Sequence, residues 1–339
     1  MDKNTAKIQG KTGRIYRKIA QGKLKLKDTN ENSPNEQVDF TGIFENDEKL
    51  IWWCVNNKII KQPTSCKNCR RNTGKTTSFR LIQNQAYFDK YVWSCKDKIC
   101  RSIQCIRKGS KLLQSFPRIK LKFLLIYIFA HFCFLVPPSI SSKTLKLSLK
   151  TIRRISALLS EWIVSYQRID EVFKGKMGGK GKIVEVDESC FFKRKYNKGR
   201  LLKQVWCFGM VERESGRLIV ELVDKRDSKT LIPIIQKFVH VNTSCIISDE
   251  WKSYNQLKKL KYNYEKVNHS KNFVSKENPQ VHTQTIENRW GQLKSLLSKR
   301  GRISRTKFSD KIKEVTWRIN NKQNIQSKML EIIVKYCNY

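Results

Sequence analysis

Acidic residues are scarce in this 339-residue chain: 29 Asp and Glu stand against 69 Lys and Arg, a formal charge of +40. A polyanion is the natural partner of such a surface. Glycine and proline, at 15 and 7 residues, are too few for a collagen-like chain. Long hydrophobic runs are missing as well. The apolar stretch FLLIYIFAHFCFLV runs from Phe123 to Val136 and then meets Pro137 and Pro138. It falls short of the roughly 20 residues a membrane span needs and reads as a buried helix, so no membrane partner is expected. The opening residues are polar and cationic and show no basic-apolar-small leader, which predicts a soluble, intracellular protein.

What is present predicts a folded chain. A hydrophobic content of 39% with 10% aromatics is enough for a packed core and excludes wholesale disorder. The length predicts two or three units. The eleven cysteines are odd in number and crowd toward the front, so they read as reduced thiols plus a metal site, not as a secreted disulfide framework.

Residues 1–45 read as a flexible basic arm, able to lie along phosphates or simply to keep the chain soluble. Residues 46–110 read as a zinc-ribbon-like domain. Cys66 and Cys69 form a CxxC, and Cys95 and Cys100 follow beyond a strand-forming stretch. Two such thiolate pairs complete a tetrahedral S4 site for Zn2+. Cys105 is an alternative to Cys100, and ordinary buried cysteines are the plainer reading. Trp52, Trp53 and Cys54 read as packing.

Residues 111–175 read as a helical segment. LKFLLIYIFAHFCF predicts one helix closed by the two prolines. TLKLSLKTIRRISALLSEWIVSY predicts another, with Ile152, Ile155, Leu158, Leu159 and Trp162 at helical spacing. A short helix, a turn and a helix bearing Lys150, Arg153 and Arg154 fit a DNA-reading helix-turn-helix, or a connector with a solvated cationic face. The glycine- and lysine-rich stretch 174–182 reads as a linker.

From residue 182 the pattern becomes KIVEVD, VWCFGMVER and RLIVELVD as strands, SKTLIPIIQKFV as a helix with Pro233 early in it, then SCIISD as a strand. EWKSYNQLKKL follows as a helix, YNYEKVNHS as a strand, and TQTIENRWGQLKSLLSKRG as a long helix ended by Gly301. That order is the order of the ribonuclease-H-like fold, an α/β class with a mixed sheet flanked by helices. Its catalytic domain is expected over 180–322, followed by a C-terminal helix or tail over 323–339.

Three acids fall where that fold places metal ligands: Asp187 at the first strand end, Asp249 at the fourth, and Glu287 in the long helix. Carboxylates suit Mg2+ or Mn2+, and two such ions about 4 Å apart support phosphodiester displacement. Each acid also has a plainer reading, Asp249 as an N-cap and Glu287 as a first-turn acid. Glu185, Glu188, Asp224 and Asp227 are alternatives, Glu188 foremost. Ile286, Trp290, Leu293 and Leu297 form the apolar stripe of the long helix. Gly291 leaves room for metals or DNA there, or permits close helix packing.

Lys193, Arg194, Lys195, Lys198 and Arg200 cluster after the first strand and read as phosphate binders, or as a solvated basic loop. His269 and His282 flank the loop before Glu287 and read as phosphate contacts or as ordinary hydrogen-bonded histidines. Trp251 and Tyr254 read as packing rather than base stacking. Ser189 and Cys190 are rejected as nucleophiles because no histidine lies near them in sequence.

The segments VEVDESCFFKRKYNKGR, SDEWKSY, VNHSKNF and HTQTIENRWGQLKS, in that order, resemble the DDE transposases of the Merlin superfamily and their bacterial insertion-sequence relatives. The resemblance spans roughly residues 60–320. It implies a cut-and-paste DNA transposase with Asp187, Asp249 and Glu287 as its metal triad, acting on transposon ends and target DNA as a homo-oligomer. It also implies a nuclear location in a eukaryotic host, or the nucleoid in a bacterial one. A domesticated, non-cleaving DNA-binding protein and a structure-specific nuclease of the same fold are the rival readings.

Overall fold

The computed structural model describes residues 42–169, 175–191, 204–243, 245–267, 281–299 and 305–337. They fall into two compact units, one reaching to Arg154 and taking in the chain from Gln323, the other spanning Ile155–Lys322.

In the first unit, Asn46 caps α1 (Asp47–Asn56) by accepting the N–H of Glu48 at 2.7 Å. Asp47 and Glu48 in the first turn favour the positive helix end. A short α2 (Lys67–Thr73) follows and ends at Gly74, whose φ of 68° is the left-handed conformation that closes a helix. Strands β1 (Phe79–Gln83), β2 (Tyr91–Cys95) and β3 (Ile103–Cys105) make an antiparallel sheet in that order. Arg107 is buried and fully engaged. It forms a fork onto Asp89 at 2.5 and 2.6 Å and donates to the carbonyls of Leu113, Phe116 and Ile119. The fork ties the sheet to α3 (Lys111–Ser115) and the chain that follows it.

The apolar run is not one regular helix. It is α4 (Leu121–Ile126) continued by a π-helical turn, Tyr127–Phe132, and it is buried throughout that turn. The next stretch is also divided, into α5 (Pro138–Leu145) and α6 (Leu149–Ile169). Lys146 adopts φ 52°, and the Ser148 hydroxyl accepts the Thr151 N–H at 3.1 Å, so a fresh N-cap restarts the helix. The C-terminal helix Ile325–Cys337 belongs to this first unit, packing against α3, with Gln326 Nε2 donating to the Phe129 carbonyl at 3.1 Å.

In the second unit, β4 (Ile183–Phe191), β5 (Val205–Glu212) and β6 (Leu218–Val223) are joined antiparallel. Helix α7 (Ser228–Phe238) is capped by Asp227 and returns the chain to β7 (Cys245–Asp249), which pairs parallel with β4. Pro233 sits in the middle of α7, not in its first turn, on the exposed side. A 3-10 turn (Lys252–Asn255) and α8 (Gln256–Lys259) replace the single expected helix before β8 (Tyr264–Val267). The sheet order is β6-β5-β4-β7-β8, the ribonuclease-H-like arrangement. Helices α9 (Gln284–Lys299) and α10 (Phe308–Asn320) complete the unit.

The sheet is buried on both faces, as a mixed sheet between helix layers must be. Val184, Val186, Phe208, Met210 and Ile246 face Leu231, Ile235 and Phe238 of α7 and Leu257 of α8. On the other face Cys207, Val211 and Val220 meet Ile286, Trp290, Leu293 and Leu297 of α9 and Ile312 and Val315 of α10. The buried Glu314 of α10 is satisfied by Arg318, Lys311 and the Ser160 hydroxyl of α6.

Candidate functional site

Strand alternation sorts the acids of β4 by face. Val184 and Val186 point into the α7 core, so Glu185 and Asp187 point toward α9. Glu185 pairs with Ile247 across the parallel β4–β7 ladder, and Asp187 and Asp249 lie two residues further along each strand. The two aspartates therefore leave neighbouring strands side by side on one face. Glu188 points the other way, where it accepts a hydrogen bond from the fully buried Tyr254 hydroxyl.

Helix α9 is bolted to this face at two points. Glu185, fully buried, accepts the Ile286 N–H at 2.8 Å and so caps the first turn of the helix. Its other oxygen pairs with Arg213 at 2.6 Å, and Arg213 in turn donates to the His282 carbonyl at 2.7 Å. One turn further on, the Trp290 indole N–H donates to Asp187 Oδ2 at 3.0 Å. Glu287 lies between these points, exposed, with the Thr283 hydroxyl 3.5 Å from its Oε1.

A glycine makes the second contact fit. Gly209 is the ladder partner of Asp187 on β5. A Cβ there would lie 2.5 Å from Trp290 Cζ2 and 3.2 Å from Ile286 Cδ1, so only glycine lets the indole lie against the sheet. Gly291, by contrast, faces open space among the described residues: outside its own helix backbone and chain neighbours none of them has a heavy atom within 4 Å of where its Cβ would be, so packing against another described element does not account for it.

Electrostatics mark the same corner. Burial, with Glu188 and Asp249 adding like charge, pushes the Asp187 carboxyl up to about 7. Burial also lifts Glu188 to about 7. Carboxylates so placed repel one another, and a cation relieves them. The side chains of Asp187, Asp249 and Glu287 do not, however, close to within 4.8 Å as a trio, a separation reached among the described residues only by a cysteine quartet.

That quartet is Cys66, Cys69, Cys95 and Cys100 in the first unit. The sulfurs of Cys66 and Cys100 are 3.6 Å apart and those of Cys69 and Cys95 3.5 Å. Four sulfurs about 2.3 Å from one tetrahedral zinc would lie near these separations. The Cys69 backbone N–H, aimed at Cys66, is the main cause of lowering that thiol to about 6, with burial opposing it. Asp97 shapes the second knuckle by accepting the N–H groups of Ile99 and Cys100. Cys105 stays outside, exposed on β3.

Other residues singled out in the sequence separate. His282 is the hydrogen-bonded kind: burial and then Arg213 hold its ring below the ordinary histidine pKa. Tyr254 packs in the core as expected, but Trp251 is 41% exposed. Arg153 and Arg154 are exposed on α6, with Arg154 stacked 5.9 Å over the Phe116 ring. Lys193, Arg194, Lys195, Lys198, Arg200, His269, Gly301 and nearly all of the basic arm lie outside the described residues.

The chain is similar to several known proteins. The ISXO2-like transposase domain model matches residues 178–320. An "uncharacterized transposase-like protein" of Haemophilus influenzae is 31% identical over 115 residues, which make up 34% of this chain and 90% of that protein. Among solved structures, the HTLV-2 integrase catalytic core domain in complex with magnesium aligns at 12% identity and a TM-score of 0.26, covering 42% of this chain and 86% of its own. The simian T-cell lymphotropic virus intasome in complex with PP2A regulatory subunit B56 gamma aligns at 13% and 0.28, covering 57% and 67%. By its relative and its domain match, the chain belongs to the ISXO2-like transposases, an insertion-sequence type of DDE transposase.

Proposed function

We propose that the chain is an active DNA transposase whose Asp187, Asp249 and Glu287 form one divalent-metal site. The observation that carries this is that Asp187 and Asp249 each lie two residues beyond the Glu185–Ile247 pair on adjacent parallel strands, beneath the helix that bears Glu287. The donor set fits the metal. All three offer hard carboxylate oxygens, and Glu188 and Asp249 add like charge beside the buried Asp187. Bound Mg2+ or Mn2+ would supply Lewis-acid polarisation of the scissile phosphate and offset the charge that develops there.

The chain's own groups do the positioning. Trp290 holds the Asp187 carboxylate in one rotamer, and Glu185 fixes the pitch of α9 and with it the place of Glu287. The reaction is hydrolysis of a phosphodiester at the transposon end, followed by attack of the freed 3′-hydroxyl on target DNA. Neither step needs a covalent protein intermediate, which agrees with Ser189 and Cys190 being buried in β4. In the first unit, Cys66, Cys69, Cys95 and Cys100 hold one structural Zn2+.

Duplex DNA is the partner the charge of +40 selects, with two or more copies pairing the ends. Lys193, Arg194, Lys195, Lys198 and Arg200 clamp phosphates whatever the sequence, whereas Arg153 and Arg154 read the ends. The test is cleavage by the full chain, with Mg2+, of a duplex carrying its element's terminal repeats, against a branched duplex and a random one. Cleavage confined to the terminal-repeat duplex supports the reading. Preference for the branched DNA makes it a structure-specific nuclease, and binding without cleavage makes it a domesticated copy.

A further inference from the structure

Two residues past Asp249, Trp251 leaves the core. It is 41% exposed although its backbone is pinned, the N–H donating to Asp249 Oδ1 at 3.1 Å. Its indole N–H donates to the Arg226 carbonyl at 2.8 Å, and the Ser253 hydroxyl reaches the same carbonyl, also at 2.8 Å. These bonds lock the β6–α7 loop onto the turn after β7. Between the two tryptophans lies the Arg226 guanidinium, 3.8 Å from the Trp206 ring centroid and 4.9 Å from that of Trp251.

This arginine is held but unspent. Its side chain makes no ion pair or hydrogen bond with any described residue, although the Glu188 carboxylate feels its charge. Stacking between two indoles removes most of the rotamer freedom an arginine would otherwise lose on binding, and leaves its fork of donors for a planar or tetrahedral oxyanion. The exposed part of the Trp251 indole lies two residues from Asp249, beside the acids.

We infer that Arg226, clamped by Trp206 and Trp251, takes a backbone phosphate of an unpaired nucleotide next to the scissile phosphodiester, and that the exposed Trp251 indole stacks on that nucleotide's base. The inference rests on the DNA-transposase reading and adds a strand-distortion step to it. In an intact duplex the base faces are covered by their neighbours, so the indole can serve only a nucleotide that has left the stack. The clamp accordingly selects frayed or opened ends, and does so without reading a base edge.

The experiment uses the full chain without added divalent cation and two short duplexes, one blunt and one with a single-stranded overhang carrying 2-aminopurine. Wild type should quench the 2-aminopurine and bind the overhang duplex more tightly than the blunt one. Trp251→Ala should lose the quenching and about tenfold of the overhang affinity, the order of one stacked base, and keep the blunt affinity. Trp251→Phe should retain part of both. Arg226→Gln should weaken the overhang complex even when the overhang base is abasic, because the phosphate remains; Trp251→Ala should then cost nothing. Quenching that survives in Trp251→Ala, no quenching by wild type, or equal losses on both duplexes would each overturn the inference. Cleavage of the terminal-repeat duplex by wild type with Mg2+ is read separately, so an inactive enzyme sinks the transposase reading without disturbing the binding result.

Discussion

Trp290 Nε1 donates to Asp187 Oδ2 at 3.0 Å, and this bond joins the helix that carries Glu287 to the strand that carries the first acid. Trp290 is also a core residue, 4% exposed among Ile286, Leu293 and Val315. One side chain therefore fixes the packing of α9 and the orientation of a carboxylate together, so packing defects on this face reach the acids directly.

Gly209→Ala tests that coupling. The new Cβ would lie 2.5 Å from the indole, so the ring or the sheet must shift, at about 1–3 kcal/mol. In a Trp290→Leu background most of that penalty should vanish, because the obstructed ring is gone. Urea unfolding of the four proteins measures it. Equal penalties in both backgrounds would show that Gly209 is required for some other reason.

The sequence carried the strand order well, because period and punctuation are local signals, and β7 is a short apolar run that does end in Asp249. The expectation that Asp187 ends its strand is corrected: β4 runs on to Phe191, paired with β5 throughout, so Asp187 lies in mid-strand. The sequence also marked Ile286, Trp290, Leu293 and Leu297 as one stripe, and all four are buried. What it could not carry is pairing at a distance. Glu185 looked like a spare acid beside Asp187, yet it caps a helix 101 residues away in the chain. Gly209 gave no signal, since its requirement comes from a ring on another element. Trp251 was expected to pack, as an aromatic near a strand end usually does; it is 41% exposed and stacks against Arg226, a contact the sequence does not reveal. The break between α5 and α6 was legible in hindsight from Ser148, an N-cap residue inside an apparently continuous helical pattern.

Glu185→Ala removes the carboxylate from a pair in which Arg213 is itself only 12% exposed. Breaking such a buried pair by deleting one partner costs about 3–5 kcal/mol. Glu185→Gln should cost less, since its amide oxygen can still accept the Ile286 N–H. Chemical unfolding ranks the two; a reversed ranking would mean that Glu185 does not cap α9.

His131 gives the first unit a dependence on acid. Burial lowers its pKa to about 4, and the neutral ring bonds to the Ser141 hydroxyl at 2.9 Å. The unfolded chain, with an ordinary value near 6.5, takes up the proton first, so stability is full above about pH 6.5 and falls toward pH 4. At pH 5 the loss should be about 2 kcal/mol relative to pH 7. His131→Gln should flatten that part of the pH profile, and an unchanged slope would contradict the assignment.

The cysteine quartet separates two neighbours on the chain. Cys100→Ser should lower the zinc content of the purified protein well below about one per chain, while Cys105→Ser leaves it unchanged. Metal analysis with thiol titration reads both. Zinc lost from the Cys105 variant but kept by the Cys100 variant would reverse the ligand set.

The most direct test of the central claim is strand cleavage by Asp187→Asn, Asp249→Asn and Glu287→Gln, each compared with wild type on the terminal-repeat duplex with Mg2+ and with affinity measured on the same samples. Each substitution keeps the shape of the side chain and removes one hard anionic ligand, so cleavage should fall by at least about a thousandfold, on the scale of losing a metal-positioning group, with binding kept. Near-normal cleavage by any one of the three would contradict the triad.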